Sequence, residues 1–297
     1  MSDSTPASAT AEAGVGPALE GGAGPEPGVL RRLLRRPSGV VGCGLVALLV
    51  VVGVAAPWLA PRDPFAIDGP SLSPPSGRYP MGTDAFGRDL LSGIVFGART
   101  SLLLTVLTSA LVLVIGVAVG TLAGYRGGRV DDACMRVAEF FLVLPRFFLA
   151  IVVVALYGPG VERIGLVFGF TAWALLARVV RAEVLSLRER EFVEAARAGG
   201  SGGWRIVVRE ILPNALPAAL VYLGLLLGQV LLLEASLGFL GLSDPTAMSW
   251  GFLAGQAQPF LRVAWWMAVF PGAAILATVL GLNLTADALT EALGRRS

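Results

Sequence analysis

Few side chains in this 297-residue chain can do covalent or acid–base chemistry. Histidine is absent, and all 23 basic residues are arginine. Without lysine there is no Walker A phosphate-binding motif, whose lysine is obligatory, and no Schiff base. Without histidine there is neither an imidazole base nor a histidine-ligated metal. Cys43 and Cys134 stand far apart, in or beside apolar segments, so they read as inert, buried thiols rather than a redox or metal pair. What remains is a set of carboxylates and arginines, densest in EFVEAARAGGSGGWRIVVREILPNALP, residues 191–217. That stretch is charged and split by glycines, between two apolar ones.

Glu191 to Ala198 is rich in helix formers. Phe192, Ala195, Ala196 and Gly199 share a narrow face of small side chains, with Arg190, Glu194 and Arg197 elsewhere. Gly199 and Gly200 offer the positive-φ residue that closes such a helix, and Ser201 a cap for the next. The second helix would carry Trp204, Val207, Val208 and Ile211 on one stripe opposite Arg205 and Arg209. Pro213 would stop it, and Asn214 would cap the next apolar run. Two readings are open: a charged loop with incidental helicity, or a small-faced helix presented to a groove on another protein.

The elements that must hold this segment are membrane spans. Mean hydropathy is +0.74, with 55% hydrophobic and 15% charged residues, too few charges to wet a soluble protein of this size. A helical span needs roughly 20 mostly apolar residues. Val40 to Ala60, Ser101 to Tyr125, Ile211 to Leu233 and Val263 to Ala286 meet that. Phe147 to Val161 and Ile164 to Ala177 flank YGPGVER and read as a helical hairpin. Its first arm would start before Arg146, and its second would let Arg178 and Arg181 snorkel. The expectation is an all-α membrane protein of six transmembrane helices. Glycines at four-residue steps, Gly116, Gly120 and Gly124 in the second span and Gly224 and Gly228 in the fifth, are either chance or a packing face. No internal repeat is visible.

Residues 1 to about 28 are Pro-, Gly- and Ala-rich and read as a disordered tail. No signal peptide is expected, because the cluster Arg31, Arg32, Arg35 and Arg36 comes late and the span after it has no evident cleavage site. With that cluster inside, 16 arginines fall in cytoplasmic segments and six in external ones, Arg146 unassigned. Both termini are therefore expected in the cytoplasm. The division is a tail of residues 1–37, a first transmembrane helix at 38–61, an extracytoplasmic segment at 62–100, and a core at 101–295 with five more spans and a cytoplasmic hairpin at 188–213. Glu234 and Gln229 interrupt an apolar run, where a charge costs about 2 to 3 kcal/mol unless paired or facing water. Either they line a pore, or they are structural and cap amides or pair an arginine. Glu139 and Asp287 lie near cytoplasmic ends and read as solvated or paired.

Glu194-Ala195-Ala196, Gly200 and Leu212-Pro213 resemble the EAA motif of ABC-importer permeases, a coupling helix that docks on the ATP-binding subunit. Glu210 departs from the motif, which has an aliphatic residue there. YPMGTDAFGRDLLSGIVFGARTSLLL, residues 79–104, resembles the segment after the first span in C-type permease subunits of dipeptide, oligopeptide and nickel importers. EASLGFLGL (234–242), SWG (249–251) and LNLTADAL (282–289) are similar to the same subunits, so the resemblance covers about residues 38–295. On residues alone, Thr83 or Asp84 caps a helix whose face Leu90, Leu91, Ile94, Val95 and Ala98 lies opposite Arg88, Asp89, Ser92 and Arg99, flat at the outer interface.

The resemblance implies the type I importer permease fold in a bacterial or archaeal inner membrane. It implies coupling through Glu191, Glu194, Ala195, Ala196, Gly200, Trp204, Leu212 and Pro213 and an outer interfacial segment marked by Gly82, Thr83, Asp84, Gly87, Arg88 and Asp89, while leaving both readings of Gln229 and Glu234 open. It also implies partners: a second permease, two ATP-binding subunits and an extracytoplasmic solute-binding protein, with no nucleic acid. ATP and Mg would be bound by the ATPases and no cofactor by this chain, which is then not an enzyme. Di- or oligopeptides are the first substrate reading and nickel or another small solute the second. Readings of other classes are an ATP-independent secondary transporter or channel, a membrane enzyme resting on a few carboxylates, or a purely structural membrane protein.

Overall fold

The computed structural model describes Leu33 and residues 36–293. The expected N-terminal tail, with Arg31, Arg32 and Arg35, and the C-terminal Arg295 and Arg296 lie outside the described residues. Among the described residues regular structure is helical, beyond one isolated bridge between Thr83 and Asp89. In chain order the helices of eight residues or more are α1 (Pro37–Val54), α2 (Leu90–Arg126), α3 (Gly128–Val143), α4 (Arg146–Tyr157), α5 (Val161–Leu187), the short α6 (Glu191–Ala198), α7 (Leu212–Phe239), the short α8 (Trp250–Ala257) and α9 (Trp266–Leu293). Five stretches are long and apolar enough to cross a membrane, and a sixth crossing results if α3 and α4, bent by 73° across Leu144 and Pro145, are counted as one.

Three boundaries differ from the sequence expectation. The interfacial helix before span two is not a separate element, because α2 runs unbroken for 37 residues, about 55 Å at 1.5 Å per residue. Its cap is Asp89 rather than Thr83 or Asp84: Oδ2 accepts from the Ser92 backbone N–H at 3.0 Å and the Ser92 hydroxyl at 2.6 Å. The supposed polar face is buried at Asp89 and Ser92 as well. Gly93 and Gly97 are the reason, since they admit α8; a Cβ on Gly97 would stand 2.7 Å from the Trp250 ring.

The middle hairpin turns at Gly158, Pro159 and Gly160 as expected, but its first arm, α4, has 12 residues and is too short to cross alone. Pro145 lacks the N–H that would continue a helix, so the crossing is broken and α3 supplies its other half. Thirdly, Pro213 does not end a helix. Gly203–Ile206, a π-helical turn at Val207–Ile211 and α7 form one rod from Gly203 to Phe239. A π turn loosens the bonding ladder where Pro213 offers no N–H. Asn214 caps nothing; its Nδ2 donates to the Glu210 carbonyl at 2.6 Å.

The glycine steps are a packing face. A Cβ on Gly116 would meet Leu176 at 2.9 Å, one on Gly120 the Ala177 carbonyl at 2.5 Å, and one on Gly124 the Arg181 carbonyl at 2.9 Å. Gly165 and Gly169 of α5 return the arrangement, receiving Leu104 and Leu111 of α2. On α7, Gly224 lies against Ala286 of α9. The sequence reading passed over Gly42 and Gly281, which seat α1 against α9 through Thr285 and Leu45. Cys43 and Cys134 are free thiols but half-buried rather than buried.

Gly120→Val should force α2 from α5 and lower the detergent unfolding midpoint, with overpacking of about 1–3 kcal/mol. Gly44→Ala, where nothing lies within 4 Å, should leave it unchanged. Thermal unfolding followed by tryptophan fluorescence checks both.

Candidate functional site

The hairpin is built as a rigid turn. Glu191–Ala198 forms the expected first helix. Gly200 takes φ +78°, the Ser201 N–H donates to the Ala196 carbonyl at 3.0 Å and the Gly200 N–H to the Arg197 carbonyl at 3.0 Å. This is the paired bonding of a Schellman closure. Ser201 therefore ends the first helix and does not cap the next, whose N-cap is Gly202.

The expected stripe of Trp204, Val207, Val208 and Ile211 is rotated. Ile206, Val207 and Ile211 are buried, whereas Trp204 is 81% exposed and Val208 42%. The π turn shifts the register of these side chains relative to α7. Val193, 0% exposed, roots the first helix in the main core, joined by Ala196. Left open on the surface are Glu191, Phe192, Glu194, Ala195 and Arg197. Trp204 and Leu212 line an apolar groove of about 780 Å³ between α2 and α7; Pro213 is exposed. Glu210 faces a small polar recess with Ser201, Arg205 and Arg209, so the packing rests on its neighbours and tolerates a charge where an aliphatic residue was expected.

Behind the hairpin stands an ion pair that sequence reading missed. Arg181 of α5 grips Asp131 of α3 with two parallel bonds, Nε to Oδ1 and Nη2 to Oδ2, each 2.5 Å. Instead of snorkelling free, Arg181 is tied, and Arg178 approaches Glu139 at 3.8 Å. Arg188 Nη1 donates to the Gly124 carbonyl at 3.1 Å, clamping the ends of α2 and α5 together just before α6. The only sequence signal was an acidic residue and an arginine assigned to the same side of the membrane.

At the opposite end of the bundle, residues 61–89 fold over the start of α9. The Thr83 carbonyl accepts the Trp266 indole N–H at 3.1 Å, and Thr83 Oγ1 donates to the Pro70 carbonyl at 2.5 Å. Gly82 (φ +80°) and Gly87 (φ +86°) make the turns, pressed against Trp266 and Gly69. Asp84 Oδ1 accepts from the N–H groups of Phe86 (2.9 Å) and Arg88 (2.8 Å). Burial pushes the Asp84 carboxyl above its ordinary range, opposed by those N–H donors and the Arg88 charge. The Arg88 guanidinium lies between Phe65 and Phe86, 5.5 and 4.9 Å from their ring centres.

Glu234 and Gln229 part company. Glu234 is buried within the chain, its Oε1 accepting the Ser249 hydroxyl at 2.6 Å while Ser249 Oγ accepts the Phe252 N–H at 3.1 Å to cap α8. It closes a helix start; among the described residues no arginine pairs with it, and its Oε2 is buried without a hydrogen-bond partner. Gln229 is exposed on α7.

Similarity to known proteins decides what this architecture is. Residues 116–297 match the family model described as binding-protein-dependent transport system inner membrane component. Residues 28–75 match the N-terminal transmembrane domain of oligopeptide transport permease C. The chain belongs to this family. A dipeptide transport system permease protein of Alkalihalophilus pseudofirmus is 35% identical over 266 residues, 89% of this chain and 87% of that one. A di/tripeptide transport system permease protein of Pseudomonas aeruginosa is 36% identical, over 84% of this chain and 86% of its own. A nickel transport system permease protein of Escherichia coli is 37% identical, over 83% and 90%. This is an ABC-importer permease of the C type, a multi-pass inner-membrane transport component.

In this permease, Asp131→Asn or Arg181→Gln should destabilise by about 1.5–3 kcal/mol, the range for hydrogen bonds to charged groups. The exchanged pair, Asp131→Arg with Arg181→Asp, should recover part of the loss. Unfolding midpoints of the four chains in one detergent test the coupling; additive losses without recovery would count against it.

Proposed function

We propose that this permease serves an ATP-driven importer of di- or oligopeptides, forming the path with a second permease and receiving solute from an extracytoplasmic binding protein. Both termini then lie in the cytoplasm. Residues 191–213 dock on a cytoplasmic ATP-binding subunit, and two such subunits hold the ATP and Mg. The observation that carries this reading is the hairpin, fixed at its root by Val193, Ile206, Val207 and Ile211 and open at Glu191, Phe192, Glu194, Ala195 and Trp204. A rooted turn with a free outer face transmits displacement instead of absorbing it.

The root also explains how force would travel. α6 follows α5 directly, and α5 is clamped to α2 by Arg188 and to α3 by Arg181. Movement of the hairpin therefore carries three helices together, which is the rigid-body motion alternating access needs. Residues 61–89, locked to α9 through Trp266, offer the opposite face to the binding protein. Nickel uptake is the second reading, favoured by the nickel-system relative, whose identity matches that of the peptide relatives.

Glu194→Arg, or Gly200→Val at its positive φ, should cut solute uptake about tenfold or more, as loss of a docking hot spot would. Membrane insertion, followed by immunoblot of the membrane fraction, should persist. Uptake of labelled peptide at the parental rate would refute the docking role.

A further inference from the structure

Arg146 opens α4 at the break in the third crossing. Its depth follows from α3: the Phe141 ring packs on Trp173 at 5.4 Å, and Trp173 lies near the middle of the 27-residue α5. Arg146 follows Phe141 across the non-helical Leu144 and Pro145 and heads the 12-residue α4, about 18 Å along that helix axis from the turn at Gly158. In a hydrocarbon layer about 30 Å thick this is the interior, where an arginine is costly unless it pairs or meets water. Arg178 and Arg181 are paired. Arg146 is half-buried and has no ion-pair partner among the described residues.

Its surroundings are not those of a lipid-facing group. Tyr222 of α7 lies within electrostatic reach of the guanidinium. The next residue, Phe147, lines a groove of about 560 Å³ with Leu232, Ser236 and Phe239 of α7 and Ile275 of α9. Along α7, Tyr222, Leu225, Gln229, Leu232 and Ser236 recur at steps of three and four and so form one stripe. Tyr222 is half-buried and the other four are exposed. A phenol, an amide and a hydroxyl are thus spaced along one stripe of the otherwise apolar α7, which packs against α4, and the Arg146 guanidinium stands near the phenol beside a helix break.

We propose that this face is the chain's wall of the solute path and that Arg146 is its midway station for a carboxylate, as carried by a peptide with a free C-terminus. The proposal rests on the importer reading above and adds a solute chemistry to it. A guanidinium presents several N–H donors in a planar fork that matches a carboxylate, and its fixed charge survives any pH the membrane meets. Open on one side to the path, the contact is held in check by water, so a solute can leave it.

The test uses the permease assembled in proteoliposomes with its partner permease, ATPases and binding protein, in a Cys43→Ala, Cys134→Ala background. Arg146→Cys and Gln229→Cys should react with an anionic methanethiosulfonate, and alanyl-alanine during turnover should slow the reaction at Arg146→Cys. Val114→Cys, 67% exposed on α2, should stay unreactive. An Arg146→Cys as inert as Val114→Cys overturns the proposal. In uptake, Arg146→Gln should slow alanyl-alanine about tenfold or more, the loss of one charge-assisted contact, and Arg146→Lys should restore most of it. Parental uptake by Arg146→Gln would also overturn it. Should the unsubstituted assembly carry no dipeptide, the peptide reading fails by itself, while thiol reactivity at Arg146→Cys still decides whether that position faces the path.

Discussion

In lipid, apolar surface gives two helices no reason to meet, so association must come from close backbone approach and from polar contacts. The permease is organised around one such approach. α2 and α5 exchange recesses: Gly116, Gly120 and Gly124 of α2 take Leu176, Val180 and Val184, and Gly165 and Gly169 of α5 take Leu104 and Leu111. The recesses lie on α5 along one half of the contact and on α2 along the other, so neither helix can slide without lifting a side chain out of one. The pair is a keel. The inner half-helix α3 hangs from it through Asp131 and Arg181, and the hairpin grows from its end.

Polar groups inside this frame serve as joints. Glu234 and Ser249 close the start of α8, Ser101 accepts the Trp250 backbone N–H at 3.2 Å, and the Trp250 indole reaches the Ile94 carbonyl at 3.0 Å. Hydrogen bonds between buried groups are directional, so each joint fixes one geometry. α8 is held there between α2 and α7, with Gly238 and Gly255 so close that a Cβ on either would meet the other helix's backbone.

How far this was legible varies with the kind of signal. Uninterrupted apolar runs gave the first, second, fifth and sixth crossings, and the Gly199–Gly200 pair after helix formers gave the first arm of the hairpin to the residue. Glycine spacing gave the α2 packing face, since a period survives in sequence. What failed were inferences from single residues. Pro213 was read as a stop, yet a π turn passes it. Thr83 and Asp84 were read as caps, yet Asp89 holds that place while Thr83 ties the chain to Trp266. Contacts between distant residues leave no local mark at all: Asp131 and Arg181 are 50 positions apart, and Ser101 and Trp250 are 149. The family motifs anticipated where the hairpin lies, but not which of its side chains would face outward.

The π turn at Val207–Ile211 has a consequence for how this chain can change. One additional residue in a helical ladder rotates everything before it by about 100° relative to the helix beyond it, and here that rotation turns Trp204 outward while Ile206 and Ile211 stay in the core. The orientation of the hairpin tip is thus set by a residue tally between two anchors. A one-residue deletion along this stretch would swing the whole tip to another bearing while leaving the composition almost untouched. Length, more than lettering, is what descent must preserve there.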